Sequence, residues 1–167
     1  MGENLRCCFT GPRPQKFSFP LKDDNKDFND FTLRLYDAIA ELISIGVCEF
    51  YTGMAMGFDI LAAEAVLQIA KLRPELCLRL VACVPFKEQA QKYPGVWKKR
   101  YDDVLKNCDE ALLLSDNYFS GCYQRRNEYM VNVSDMVLTY FDGKAGGTKN
   151  TVMYAMKKER KIVNIYK

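Results

Sequence analysis

Histidine is absent from the 167 residues of this chain. Common general bases, Ser-His-Asp and Cys-His nucleophile pairs and many zinc sites need histidine, so its absence excludes these arrangements. Any chemistry must come from carboxylates, arginine, lysine, hydroxyls or backbone groups. We therefore expect no metal and no other cofactor. If the protein is an enzyme, we expect a metal-independent hydrolase or transferase whose acid–base group is a carboxylate.

The cysteines form neither a disulfide framework nor a metal motif. They are seven in number, and none of them forms a CxxC motif. Most lie in apolar, strand-like runs, where we expect small buried thiols. No N-terminal stretch has the form of a signal peptide, and no apolar run reaches the roughly 18 residues that span a bilayer. The sequence therefore predicts a cytoplasmic protein with no membrane partner.

The charge is small and unevenly distributed. The formal net charge is +3, divided into −2 for residues 1–83 and +5 for residues 84–167. This balance does not indicate a general polyanion-binding protein, but it is consistent with a modest basic face in the second half. With 49% hydrophobic residues, the chain is long enough for one domain over residues 1–167. Homo-oligomerisation stays open.

Short apolar runs alternate with helical patterns along the chain. The runs predict strands at residues 5–9, 47–52, 76–84, 110–114, 135–141 and 161–166. The helical patterns predict helices at residues 28–45, 60–72, 96–107, 123–131 and 148–159. This alternation is typical of an α/β, three-layer, doubly wound Rossmann-like fold with a mostly parallel six-stranded sheet. We expect the central strand order 3-2-1, with the remaining strands continuing beyond strand one (3-2-1-4/5-6).

A turn bounded by Gly53 and Gly57 is the centre of this prediction. Here the hydrophobic period changes from that of a strand to that of a helix. Glycine lets a ligand approach the backbone, and the first amide groups of a helix bind anions. Asp59 lies at the predicted start of the helix. It is either the N-cap of that helix or part of a ligand site.

Further loops follow the other predicted strands. Thr10-Gly11-Pro12-Arg13-Pro14 follows strand one, Pro85-Phe86 follows strand three, and a glycine turn at residues 142–148 follows strand five. The two prolines keep the backbone around Arg13 extended, which suits anion binding, although a solvated surface arginine is the alternative. Carboxyl ends of parallel strands share one edge of a sheet, so we expect a ligand site there.

Three motifs together carry a resemblance to a known family. They are TGPRP from Thr10, TGMAMGFDILAAE from Thr52 and GGTKNT from Gly146. In this combination the chain resembles the SLOG superfamily, which contains the DNA-processing protein DprA and the Lonely Guy phosphoribohydrolases. It is most similar to the YpsA-like family of bacterial and phage proteins. One departure is Pro12, where that family usually has histidine.

The comparison with the phosphoribohydrolases bears on enzymatic activity. Arg126 and Met130 match their R-K-x-x-M pattern, but their catalytic glutamate would fall at Thr151. A Lonely Guy-like nucleotide hydrolase therefore needs another carboxylate. Asp59, Glu64 or Glu128 could take that role, and the best-placed candidates are Asp59 and Glu64.

The resemblance implies that the domain binds a nucleotide or a nucleotide-derived small molecule, as a sensor or effector does. Phosphate would lie on the glycine turns and arginines, and the base against an aromatic wall. The predicted ligand-binding residues are Thr10, Gly11, Arg13, Gly53, Gly57, Asp59, Phe86, Tyr123, Arg125, Arg126, Asn127, Gly146, Gly147 and Thr148. The alternative is a DprA-like module for single-stranded nucleic acid, since the second half of the chain is at +5 and aromatic and basic residues are interleaved from Tyr118 to Arg126.

Overall fold

The structure is a computed structural model that describes residues 4–166. It contains six strands: β1 (Leu5–Thr10), β2 (Val47–Thr52), β3 (Arg79–Val84), β4 (Glu110–Leu113), β5 (Met136–Thr139) and β6 (Lys161–Asn164). Five α-helices connect them: α1 (Lys26–Ser44), α2 (Phe58–Leu72), α3 (Gly95–Asn107), α4 (Cys122–Val133) and α5 (Gly147–Lys157). This is the α/β Rossmann-like class that the alternating patterns predicted.

All neighbouring strands pair in parallel, in the order β4-β3-β2-β1-β5-β6. The chain winds outward from β1 to β4 and then returns to place β5 on the other side of β1. The switch point of the winding is therefore the gap between β1 and β5. In open parallel sheets, ligands bind at the carboxyl ends of the strands next to this point.

The expected central order 3-2-1 is confirmed, but the position of β4 differs from the expectation. β4 pairs with β3 at the outer edge instead of continuing beyond β1. Since α3 packs beside α2 on the same face of the sheet, the connection through α3 continues the winding in the same direction. The sequence between β3 and β4 carries no local signal for this choice.

The predicted third strand begins later than expected. Residues Pro74–Leu76 form a 3-10 turn, and Cys77 has a left-handed backbone with φ of 50°. β3 therefore starts at Arg79, because Leu76 and Cys77 are used to reverse the chain after α2.

Two apolar layers hold the sheet. The larger one lies under α1, α2 and α3 and is rich in phenylalanine, with Phe9, Phe31, Phe50 and Phe58 fully buried. The smaller one, under α4 and α5, includes Cys8, Cys83 and Met130. Of the cysteines, four are buried, Cys48 and Cys108 are partly buried, and only Cys77 is exposed, so most occupy the apolar positions that the sequence indicated.

No helix within residues 4–166 is long and apolar enough to cross a membrane. The cytoplasmic location, the single-domain organisation and homo-oligomerisation stay predictions.

Candidate functional site

A cleft of about 720 Å³ opens at the carboxyl ends of β1 and β5, at the switch point of the winding. Its floor is the turn after β1, and its walls come from α2, α4, the β5–α5 turn and the end of β6. Twenty-one residues line it: Thr10, Gly11, Pro12, Arg13, Gln15, Lys16, Ser18, Ala55, Asp59, Tyr123, Arg126, Asn127, Tyr140, Phe141, Asp142, Lys144, Ala145, Gly146, Gly147, Thr148 and Tyr166.

The floor is held by close packing between the β1 turn and the start of α2. The Phe58 amide donates to the Pro12 carbonyl oxygen at 3.1 Å. A Cβ on Gly57 would lie 2.5 Å from that oxygen, and Gly57 has φ of +90°, so only glycine fits without strain. A Cβ on Gly11 would lie 2.3 Å from the ring of Phe58. Gly57 is therefore required for packing, and it does not line the cleft.

Behind the floor, Gly53 makes room for two buried charged side chains. A Cβ at this position would lie 2.7 Å from Arg126 Cζ and 2.8 Å from Asp59 Oδ2. Arg126 donates through Nη1 to the Gly53 carbonyl and through Nε to Asn127 Oδ1 at 2.7 Å. Arg126 and Asp59 are only 4% and 5% exposed, and both face the cleft.

Asp59 is the second residue of α2, and Gly57 occupies the N-cap position. The N-cap interpretation of Asp59 is therefore wrong, because its carboxylate turns back and accepts the Ala55 amide at 3.4 Å. Burial raises the pKa of Asp59 to about 6, although the nearby guanidinium of Arg126 and the Ala55 amide act in the opposite direction. Burial also lowers the pKa of Arg126, opposed by the charge of Asp59. The cleft thus contains a carboxylate whose pKa burial raises above its ordinary value.

The segment between β3 and α3 supports the Gly53 turn. Sequence analysis did not indicate this support. Gln89 Nε2 donates to the Gly53 carbonyl at 3.0 Å, and the Tyr93 hydroxyl donates to the Met54 carbonyl at 3.1 Å. Met54 has a left-handed backbone with φ of 61°, a conformation that is costly for a side chain of its size. These two hydrogen bonds help to hold it.

On the β5 side, the cleft ends at the amino terminus of α5. Gly146 is the N-cap residue with φ of 146°, and no side chain caps the first turn. The first amide groups of a helix have no partner within the helix, so those of Gly147 and Thr148 are available to a ligand. The Lys16 ammonium lies 3.4 Å from the position that a Cβ on Gly146 would occupy. This end of the cleft combines backbone donors with a cation.

Aromatic side chains form two parts of the rim. Tyr140 stacks on Phe17 and meets Tyr166 edge-on, with ring centroids 5.3 and 5.0 Å apart. Tyr123, which also lines the cleft, contacts the ring of Phe86, with centroids 5.8 Å apart. Phe86 itself does not line the cleft.

Ten of the fourteen predicted ligand-binding residues line the cleft together. The exceptions are Gly53, Gly57, Phe86 and Arg125. Arg125 points elsewhere, with its guanidinium 5.8 Å from the centre of the Phe119 ring. The role of the ten lining residues in ligand binding stays a prediction.

The two candidate catalytic carboxylates lie in different places. Asp59 faces the cleft, whereas Glu64 does not line it and pairs with Arg100 of α3 at 2.5 and 3.0 Å. Thr151, which stands where the phosphoribohydrolases have glutamate, is buried and donates to the Gly147 carbonyl at 3.0 Å. Within residues 4–166, no group of three or more potential metal ligands is present.

Several lining residues were missed at the sequence level. They include Lys16, Tyr140, Asp142, Lys144 and Tyr166. Asp142 and Lys144 lie within the predicted glycine turn at residues 142–148, and the position of that turn was the signal that could have found them. Lys16 and Tyr166 gave no such signal, because they reach the cleft only through the packing of the β1 turn and the β6 end.

Comparison with known proteins gives the family of the chain. The model of the family YpsA, described as the YspA SLOG family, matches residues 7–166. The SPbeta prophage-derived protein YoqJ of Bacillus subtilis is 32% identical over 137 residues, which cover 74% of this chain and 79% of that protein. A UPF0398 protein of Halalkalibacterium halodurans is 29% identical over 124 residues, covering 73% of this chain and 65% of that protein.

The fold is also similar to a solved structure, that of the DNA processing protein A of Helicobacter pylori, described for its single-stranded DNA binding mode. The TM-score is 0.60 at 19% identity, and the match covers 95% of this chain but only 63% of that one. This likeness concerns the fold, and the chain spans less than two thirds of that protein and of the Halalkalibacterium relative. Taken with the match over residues 7–166, these findings show that the chain belongs to the YpsA family of the SLOG group.

Proposed function

We propose that the cleft binds a nucleotide or a nucleotide-derived small molecule through its phosphate. The observation that carries this proposal is the uncapped amino terminus of α5, where the Lys16 ammonium lies beside Gly146. Backbone amides and a cation that converge on one point favour an oxyanion. Thr148, which also lines the cleft, adds a hydroxyl.

A ligand larger than free phosphate fits the rest of the site. A volume of about 720 Å³ lies in the range of pockets that bind small organic molecules, about 300–1,000 Å³. Tyr166, just after β6, is 41% exposed and lines the cleft together with Tyr123 of α4, whereas the Tyr140 ring is buried against Phe17. Aromatic faces of this kind stack on a base, so the site suits a phosphate joined to an aromatic group.

A thermal-shift panel of nucleoside mono-, di- and triphosphates and ADP-ribose tests the proposal. A ligand at 100 times its Kd stabilises the native state by about 2.7 kcal/mol, which raises the Tm of a domain of this size by about 5–10 °C. We expect Lys16→Ala to reduce this shift. Lys22→Ala is the matched control, because Lys22 is an exposed lysine of the same segment outside the cleft. No shift with any phosphate-bearing compound would refute the proposal.

Binding of single-stranded nucleic acid is the second candidate function. It is favoured by the fold likeness to the Helicobacter protein and by an aromatic cluster of Phe86, Tyr118 and Tyr123, in which Tyr118 is 61% exposed. Bases stack on such rings, and each stacked base contributes about 1–3 kcal/mol.

Fluorescence anisotropy with labelled oligo-dT tests this second function. We expect binding that weakens steeply between 50 and 200 mM salt, because phosphate contacts release counterions. Tyr118→Ala should weaken it by about tenfold. Tyr154→Ala should not, because Tyr154 lies outside both the cleft and this aromatic cluster and donates to Asn132. Absence of binding at low salt would eliminate this candidate.

A further inference from the structure

Two arginines from different parts of the chain converge on one aromatic ring in the cleft. The guanidinium carbon of Arg13 lies 5.6 Å from the centre of the Tyr123 ring, and that of Arg126 lies 5.7 Å from it. Arg13 comes from the turn after β1, and Arg126 from α4. All three side chains line the cleft.

The hydrogen bonds of these arginines leave donors available. Arg126 uses Nη1 for the Gly53 carbonyl and Nε for Asn127. Its Nη2 group has no hydrogen-bond partner within residues 4–166, although the side chain is only 4% exposed. The Arg13 guanidinium forms no ion pair with any residue from 4 to 166. Arg126 Nη2 is not one of the fully enclosed unpaired side-chain atoms of the described residues, so this donor is accessible to a ligand that enters the cleft.

The local charge is positive. Against the effect of burial, the negative charge of Asp59 acts to raise the pKa of Arg126, and the positive charge of Arg13 acts to lower the pKa of Asp59. Neither guanidinium forms an ion pair within residues 4–166, and burial disfavours the ionised form of Asp59. Each guanidinium lies within 6 Å of the centre of the Tyr123 ring, so an anion beside that ring is within reach of both arginines.

This pair is separate from the amino terminus of α5. Arg126 is anchored to the end of β2 through Gly53, whereas the α5 terminus follows β5, and β2 and β5 lie on opposite sides of β1. Neighbouring strands are about 4.8 Å apart, so the two positions are roughly 10 Å apart at the sheet edge.

We propose that Arg13 and Arg126 form a second anion subsite and that the ligand of this cleft carries two phosphate groups. One phosphate binds at the α5 terminus and Lys16, and the other binds between the two arginines beside Tyr123. This inference rests on the proposed nucleotide binding and specifies its ligand class. Two phosphates are present both in a free nucleoside bisphosphate and in adjacent nucleotides of a single strand.

Isothermal titration with adenosine 5′-monophosphate and adenosine 3′,5′-bisphosphate tests the second subsite. A hydrogen bond to a charged group contributes enough for about a tenfold change in affinity. We expect the bisphosphate to bind about tenfold tighter or more. Arg13→Gln should reduce this gain to about twofold or less and leave monophosphate binding nearly unchanged. Arg125→Gln is the matched control, because it removes the same charge next to Arg126 but outside the cleft.

The possible failures are distinguishable. If the monophosphate binds and the second phosphate adds nothing, the second subsite is refuted and the proposed function stands. If Arg13→Gln weakens the binding of the monophosphate and of the bisphosphate equally, the second subsite is also refuted, because Arg13 would then contact the first phosphate. If neither compound binds, both proposals fail.

An unphosphorylated dT decamer identifies the source of the two phosphates. If it binds more tightly than the bisphosphate and loses that advantage in Arg13→Gln, the second subsite takes adjacent phosphates of a strand. Weaker binding than the bisphosphate assigns the subsite to a free nucleotide.

Discussion

Replacing Asp59 with asparagine should change how the stability of the protein depends on pH. Asp59 is only 5% exposed and lies next to Arg126 behind the cleft floor. Burial raises the pKa of its carboxyl from 3.8 to about 6, which shows that the cost of burying the charge outweighs the attraction of the arginines. Asparagine has nearly the same shape and stays neutral at every pH.

The sign and size follow from the two pKa values. Between pH 3.8 and about 6 the native state binds more protons than the unfolded state, so the free energy of unfolding falls as the pH rises through this window. Each pKa unit corresponds to 1.36 kcal/mol, so a shift of about two units lowers the stability by about 3 kcal/mol. Asp59→Asn removes this loss.

Urea unfolding of both proteins between pH 3 and 7.5 measures the effect. We expect the free energy of unfolding of the wild type, relative to Asp59→Asn, to decrease by about 3 kcal/mol over this range, chiefly between pH 4 and 6.5. All other titrating groups are shared and cancel in the difference. A difference independent of pH would refute the raised pKa. If the wild type instead becomes more stable relative to Asp59→Asn as the pH rises, the attraction of the arginines outweighs the cost of burying the charge.

Three further changes test the packing and the chemistry of the site. Gly57→Ala should destabilise the protein by more than 2 kcal/mol in urea unfolding, because its Cβ would lie 2.5 Å from a carbonyl oxygen. Gly143→Ala is the control and should cost only about 1–2 kcal/mol, because Gly143 has a similar φ of +86° but open space around it. Equal costs for the two variants would show that the contact with the carbonyl oxygen is unimportant. Asn25→Ala should cost about 1 kcal/mol, because the Asn25 side chain caps α1 at 3.0 Å, and an unchanged midpoint would contradict this. Any release of base from nucleoside monophosphates, measured by chromatography, should be abolished by Asp59→Asn and retained in Glu64→Gln, since only the first faces the cleft; undiminished release in Asp59→Asn would exclude this carboxylate.

The class of the fold and the edge that carries the cleft followed from the sequence alone. Apolar runs of strand length, helical spacing and glycine turns are local features, and each depends on only a few neighbouring residues. The loops after β1 and β5 could therefore be placed on one edge, and Arg13, Arg126 and Gly146–Thr148 were found as residues that line one cleft. The motifs that resemble the SLOG superfamily lie in these two loops and in the turn between β2 and α2, which is why the family was also recognisable from the sequence.

Contacts between distant segments decided which glycines are needed for packing, which charged side chains are paired and where β4 lies in the sheet. Gly53 and Gly57 are glycines because other parts of the chain pack against them, and no local pattern separates this need from that of a ligand. Glu64 is paired by Arg100, 36 residues away, while Arg126 is buried against Gly53, 73 residues away. The edge on which β4 pairs was likewise chosen by the packing of α3 beside α2. Burial and pairing are properties of the assembled layers, so only the tertiary structure could show which charged side chains face the cleft and how their pKa values change.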